Sequence, residues 1–116
     1  MKEINGKIDY KGQTYEIYFN LNVMQAIQEE YGTLEKWGEL SEGANGEPDA
    51  KAVIFGLTEM INEGIEIANE NSEKKLEKMT CKQVGRMISE IGFDKIAAVL
   101  NQTVINSTKN DEIKNG

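Results

Sequence analysis

The stretch YEIYFNLNVMQAIQEEYGTLEKW, residues 15–37, constrains the fold most, because its periodicity changes from strand to helix without a linker. Tyr15, Ile17 and Phe19 alternate with other residues, as in a strand with one buried face. From Val23 onward the apolar residues recur at helical spacing instead. A helix that begins this soon after a strand has to fold back over the apolar face of that strand.

The residues before this stretch predict a partner strand, so that residues 3–20 form a β-hairpin. Ile4, Ile8 and Tyr10 share one parity, and Gly12 in the connection KGQ can adopt the positive φ of a tight turn. A lone hairpin is marginally stable in water. We therefore expect the helices that follow to cover its apolar face.

About five helices are predicted from apolar spacing and capping residues. Asn20 or Asn22 can cap the first helix, Thr33 can cap the second, and Thr80 with Gln83 matches a capping box at the fourth. The first helix is predicted at roughly 22–31, and a short second helix contains Leu34, Trp37 and Leu40. The longest starts at Pro48 or Asp49 and covers roughly 49–69. Gly92 ends the fourth, and the last runs from Phe93 or Asp94 to about Ser107. The connection at residues 41–48 is the clearest loop, since it contains two glycines and the only proline.

The predicted architecture is an α+β domain, with an N-terminal β-hairpin followed by about five helices packed as a small bundle. Residues 1–107 are expected to form this single domain, and residues 108–116 a flexible C-terminal tail. Gly56 and Gly64 lie on one side of the longest helix. They either allow another backbone to approach closely or are tolerated glycines, with a helix break near Gly64 as a further alternative.

The charge of the chain limits its partners. Lysine and arginine number 13 against 20 acidic residues, which gives a net charge of −7 at pH 7. Because such a surface repels phosphate groups, neither nucleic acid nor an anionic membrane is an expected partner. No segment approaches the ~20 apolar residues of a membrane span, and the N-terminus lacks the apolar core of a signal peptide. A cytoplasmic location is therefore expected.

The chemistry of most enzymes is missing from the composition. The chain has no histidine, so a Ser-His or Cys-His nucleophile pair is excluded. Neither a dinucleotide-binding nor a P-loop glycine motif is present, and no zinc or EF-hand spacing occurs. The only cysteine, Cys81, lies on an apolar helical stripe and is expected to be a small buried hydrophobe. We expect a protein without catalytic activity, cofactor or metal.

Three apolar residues at the junction of the first two helices are the candidate partner-binding residues: Tyr31, Leu34 and Trp37. One interpretation is that Tyr31 and Trp37 pack between these helices and the hairpin. The other is that Trp37 and Leu34 form an exposed anchor for another protein, since tryptophan and tyrosine are enriched in binding hot spots.

The segment GKIDYKGQTYEIYFNLNVMQAIQEEYGTLEKW resembles the tail assembly chaperones of long-tailed bacteriophages and of prophages in Gram-positive bacteria. The resemblance rests on a hairpin with a short glycine turn, followed by Tyr-x-aliphatic-x-Phe-(Asp/Asn)-aliphatic-Asn. A helix with an acidic pair and an aromatic-Gly end follows. The positions concerned are Tyr15, Ile17, Phe19, Asn20, Leu21, Asn22, Glu29, Glu30, Tyr31 and Gly32. Beyond residue 37 the similarity concerns only the general layout.

The resemblance implies a small factor that binds the tape-measure protein, keeps its long helices soluble and helps recruit tail-tube subunits. It also implies that the factor is absent from the finished tail, and that a longer frameshifted form often exists. Weak self-association is compatible with this function.

The main alternative is a structural phage component, such as a head–tail connector or minor tail protein, which would form a stable ring with an extensive interface. A small regulator that binds a host protein by mimicking nucleic-acid charge is less consistent with the sequence. Residues 1–45 have a net charge of −4 and residues 46–116 one of −3, so the acidity is spread along the chain.

Overall fold

The computed structural model describes the backbone of residues 6–43 and 46–115, and the side chains as far as residue 107. An antiparallel hairpin at the N-terminus is followed by five helices, which confirms the predicted α+β class. The strands are β1 (Gly6–Tyr10) and β2 (Gln13–Ile17). The helices are α1 (Leu21–Tyr31), α2 (Leu34–Glu42), α3 (Ala50–Glu70), α4 (Cys81–Ile91) and α5 (Phe93–Asn115).

The hairpin closes through a two-residue turn at Lys11 and Gly12. Both residues have positive φ, 51° and 78°, as a type I′ turn requires. Ile8 lies opposite Tyr15 in the register, and the Ile8 side chain is buried in the core. The turn is therefore one residue shorter than the predicted KGQ connection, since Gln13 already belongs to β2. The predicted start of the hairpin at residues 3–5 lies outside the described residues.

Only three residues separate β2 from α1, and the last of them caps the helix. The side chain of Asn20 accepts a hydrogen bond from the backbone N–H of Val23 at 3.3 Å, which identifies Asn20 rather than Asn22 as the N-cap. Asn22 instead donates to Glu63 on α3, as Asn20 also does. The direct passage from strand to helix is thus stabilised by bonds both within α1 and across to α3.

Helix α3 passes through the centre of the domain and contacts both the hairpin and the other helices. At Gly64 its backbone meets the backbone of β2 so closely that a Cβ would overlap the carbonyl oxygen of Glu16. One turn earlier, the Met60 carbonyl accepts a hydrogen bond from the N–H of Tyr18 at 3.4 Å. The predicted close approach of a backbone is confirmed at Gly64, whereas the neighbour of Gly56 is the Trp37 side chain, and α3 continues without a break at Gly64.

The connection between α3 and α4 is held by two asparagines of α3 that lie seven residues apart. Asn62 donates to the carbonyl of Met79 at 2.9 Å and accepts from its N–H at 2.8 Å. Asn69 bonds both backbone groups of Leu76 in the same way, at 3.0 and 2.9 Å. Each side-chain amide thus replaces the peptide group of a neighbouring strand, and the connection follows the helix without forming a sheet.

Helix α4 begins at the predicted capping box, because Thr80 and Gln83 exchange side-chain to backbone hydrogen bonds. The expectation that Cys81 is buried was wrong, since the residue is exposed. The apolar stripe was correctly recognised, but its burial starts one turn later, at Val84. Cys81 occupies the first position of the helix, before α4 reaches the core.

Helix α5 extends to Asn115, eight residues beyond its predicted end near Ser107. Its described part contributes Ile96 and Leu100 to the core, and the buried Thr103 lies beside Gly6 of β1. Side chains from residue 108 onward are outside the described residues, so the flexible tail stays a prediction. In the part of the chain described here, none of the helices combines the length and the apolar composition that a bilayer span requires.

Candidate functional site

Trp37 is a core residue whose indole edge reaches the surface. Its side chain is only 5% exposed, and its indole N–H donates to the carbonyl of Ala52 at 2.9 Å. One ring face stacks on Phe19 at 6.4 Å, and a Cβ at Gly56 would lie 2.5 Å from the indole. The first interpretation of Trp37, packing between helices and hairpin, describes this geometry. The second interpretation, an exposed anchor for another protein, does not fit a tryptophan buried in this way.

Tyr31 and Leu34 are half-buried and pack against the outside of the core. The Tyr31 ring meets Phe55 edge to face, with the ring centroids 5.7 Å apart. Its hydroxyl is buried without a hydrogen-bond partner among the described residues, and burial raises the pKa of this phenol above its usual value. Whether Tyr31, Leu34 and Trp37 bind a partner stays a prediction.

Trp37 also forms part of an open cavity of about 350 Å³ between α2 and α5, here called the α2/α5 groove. Four residues of α2 line its first wall, and Pro48 closes one side. The α2 residues are Trp37, Gly38, Ser41 and Glu42. Gly38 faces open space, since a Cβ there would meet no atom of a more distant residue within 4 Å.

The second wall of the groove comes from two turns of α5 and is mainly apolar. It consists of Ala97, Ala98, Leu100, Asn101 and Val104. Ile105 is one turn beyond Asn101 on the same helix face, and 40% of its surface is exposed. The apolar surface of α5 therefore continues past the groove, where a bound segment could use it.

The groove contains a polar group that this chain leaves unpartnered. Ser41 is 7% exposed, and its Oγ has no hydrogen-bond partner among the described residues. Buried hydroxyls are normally hydrogen-bonded, and one that is not carries a desolvation cost of about 1–3 kcal/mol. A ligand that offers a hydrogen bond to this hydroxyl would remove that cost.

The charges around the groove are acidic. Among the described residues, Glu42 is the only charged one that lines the groove, and it is also the last residue of α2, whose final turn contains no basic residue. Asp94 lies one turn before Ala98 on the face of α5 that lines the groove. The C-terminal end of a helix carries a partial negative charge, which adds to that of Glu42.

Sequence reasoning missed this groove, although one signal for it was present. Ala98 and Ile105 are seven residues apart, and they form an apolar row beside the predicted core-facing row of Ala97, Leu100 and Val104. When the apolar face of a helix is wider than the core requires, the extra row indicates that the helix has a second contact. Among the side chains that the structure describes, no three acidic or cysteine residues are grouped as metal ligands.

Comparison with known proteins identifies no relative: no protein-family model matches the chain, and no curated sequence or solved structure is significantly similar to it.

Proposed function

We propose that this chain is a non-enzymatic tail assembly chaperone of a long-tailed bacteriophage or prophage. In this proposal it acts in the cytoplasm of the bacterial host, binds the tape-measure protein and recruits tail-tube subunits to it. The family is proposed from the resemblance of residues 6–37. The α2/α5 groove is the observation that supports a binding function.

The size and lining of the groove suit the binding of apolar side chains. Its volume of about 350 Å³ lies in the range of ligand pockets, and its walls are mainly alanine, leucine, valine and tryptophan. Its two walls are helices, so a third helix could lie across them and insert apolar side chains at i, i+3 and i+4 into the groove. The tape-measure protein is a long helical molecule in the family that the chain resembles, and many copies of a chaperone could bind along it.

Residues 15–32, on which the resemblance rests, stabilise the fold. Ile17 is fully buried, Asn20 caps α1, and Phe19 stacks on the indole of Trp37. The resembling segment therefore forms the support behind one wall of the groove. This arrangement favours a common fold for the family and leaves partner contact to α2 and α5.

The proposal is tested by co-expressing the chain with the longest coiled-coil protein encoded beside it and measuring that protein's soluble fraction. We expect wild type to co-purify with the partner and to raise its solubility. Ala98→Tyr, which fills the groove at an exposed position, should abolish both effects. Ala68→Tyr makes the same change at an exposed position of α3 outside the groove and should leave both intact.

A partner that stays insoluble beside folded wild-type chain would refute the proposal. The structural phage component would then be the better interpretation, and light scattering should show a discrete ring. If Ala98→Tyr and Ala68→Tyr rescue the partner equally well, binding takes place outside the groove.

A further inference from the structure

We propose that the α2/α5 groove accepts a basic amphipathic helix, with a lysine or arginine seated at the C-terminal end of α2 and aliphatic side chains between Trp37 and α5. This inference rests on the proposed function, because it takes the groove as the partner site. It adds the chemistry of the bound segment.

The cation site is defined by negative charge that the chain does not neutralise. Glu42 follows a helix whose C-terminal end is itself negative, and neither a basic residue of the last turn nor any described ion pair compensates it. Lys51 forms its salt bridge with Glu30 at 3.0 Å and not with Glu42. A cation bound here would interact favourably with both the carboxylate and the helix end.

Ser41 supplies a second polar contact beside Glu42. Its Oγ is buried in the groove wall and lacks a partner among the described residues. An ammonium or guanidinium group has only donors, and both the hydroxyl oxygen and the carboxylate can accept from it. An acidic side chain could use the hydroxyl but would meet the negative charge of Glu42.

The apolar part of the groove limits the shape of the occupant. From Ala97 to Val104 the wall spans two helical turns, and the indole edge of Trp37 faces it. A helix with aliphatic residues at i, i+3 and i+7 presents one continuous stripe of that length. The basic residue has to lie beside this stripe, at the end nearest Glu42.

Charge complementarity also decides between occupants. A second copy of this chain has a net charge of −7 and would bring more negative charge to Glu42 and Asp94. A basic helix is attracted at long range as well as in the groove. The favoured occupant is therefore a different protein with a basic helical segment.

The fluorescence of Trp37 can report binding, because it is the only tryptophan and its ring lines the groove. Two synthetic 18-residue helical peptides without tryptophan serve as probes. They share the same leucine positions, and one has lysines where the other has glutamates. The lysine peptide should shift the Trp37 emission saturably, and the glutamate peptide should bind at least tenfold more weakly. Ala98→Tyr should abolish the shift.

The role of Glu42 is tested by substitution at constant ionic strength. Glu42→Gln should lower the affinity for the lysine peptide about two- to fivefold, which is the effect expected from the loss of a partly exposed ion pair. Glu42→Lys should shift the preference toward the glutamate peptide. Glu73→Gln removes an exposed acidic residue outside the groove and should change nothing. Equal binding of both peptides, or indifference to Glu42→Gln, would overturn the inference.

The co-expression assay separates this inference from the proposed function. If wild type and Glu42→Lys solubilise the tape-measure partner equally, the chaperone function stands and the cation site is refuted. If the lysine peptide binds in a Glu42-dependent manner while wild type fails to solubilise the partner, the groove chemistry stands and the chaperone function is refuted.

Discussion

Gly64→Ala is the substitution for which the structure gives the clearest expectation. Intrinsic helix propensity alone would make it stabilising by about 1 kcal/mol, because alanine is the best helix former and glycine one of the poorest. The structure predicts the opposite sign. The new Cβ would overlap the Glu16 carbonyl oxygen, which belongs to the backbone of β2 and cannot turn aside as a side chain could.

The magnitude follows from the displacement that the new methyl group demands. The strand and the helix have to separate by roughly 1 Å or more before the contact is acceptable. Such a shift loosens the packing of Ile17 and the hydrogen bond from Tyr18 to Met60. Overpacking costs typically about 1–3 kcal/mol. This case lies at the upper end, because the contact joins the backbone of α3 to the backbone of β2 and neither can turn aside. After the propensity gain, a net loss of about 2 kcal/mol remains.

Urea and thermal denaturation followed by circular dichroism measure this loss directly. For a domain of this size, 2 kcal/mol corresponds to a fall in Tm of about 8 °C. Gly85→Ala on α4 is the matched control, since its Cβ would only meet Ile54 Cδ1 at an ordinary 3.5 Å. That variant should gain about 1 kcal/mol. A Gly64→Ala protein as stable as wild type would refute the close-approach argument.

Three further outcomes are expected from single substitutions. Trp37→Phe loses the bond to the Ala52 carbonyl and part of the core volume, and it should lower the free energy of unfolding by about 2 kcal/mol in urea titrations. Asn62→Ala removes the partner of both backbone groups of Met79, so amide hydrogen exchange at Met79 should accelerate about tenfold. Unchanged exchange would show that these two hydrogen bonds do not hold the connection. Burial raises the pKa of Tyr18, so its neutral form stabilises the fold below about pH 10, and this contribution is lost as the pH rises through the folded-state pKa. Tyr18→Phe should therefore show a shallower decrease of Tm between about pH 9 and 11.

The parts of the fold that depend on local chemistry were predictable from the sequence. The caps at Asn20 and Thr33, the capping box at Thr80 and the glycine ends of α1 and α4 each involve residues within four positions of one another. Such signals are present in the sequence whatever the rest of the chain does. Close approach of a backbone at Gly64 was one of the alternatives that the sequence left open, and the sequence did not show that β2 would be the neighbour.

The features that depend on the relative position of distant elements were not predictable. A helical stripe shows which residues prefer burial, but not where the covering element ends, which is why Cys81 was misjudged. Trp37 was assigned two alternative environments, and it contacts both the core and the groove. The groove itself joins α2 to α5, which are separated by some fifty residues of chain, and no local pattern encodes such a meeting.

The double environment of Trp37 has a thermodynamic consequence. The indole that lines the groove is the same group that bonds Ala52 and stacks on Phe19, so the groove wall exists only in the folded chain. Binding and folding are therefore linked, and an occupant at one hundred times its Kd would add about 2.7 kcal/mol to the stability of the domain. Each release of a partner segment would return that stabilisation, so the free chain would be the form most readily unfolded and degraded.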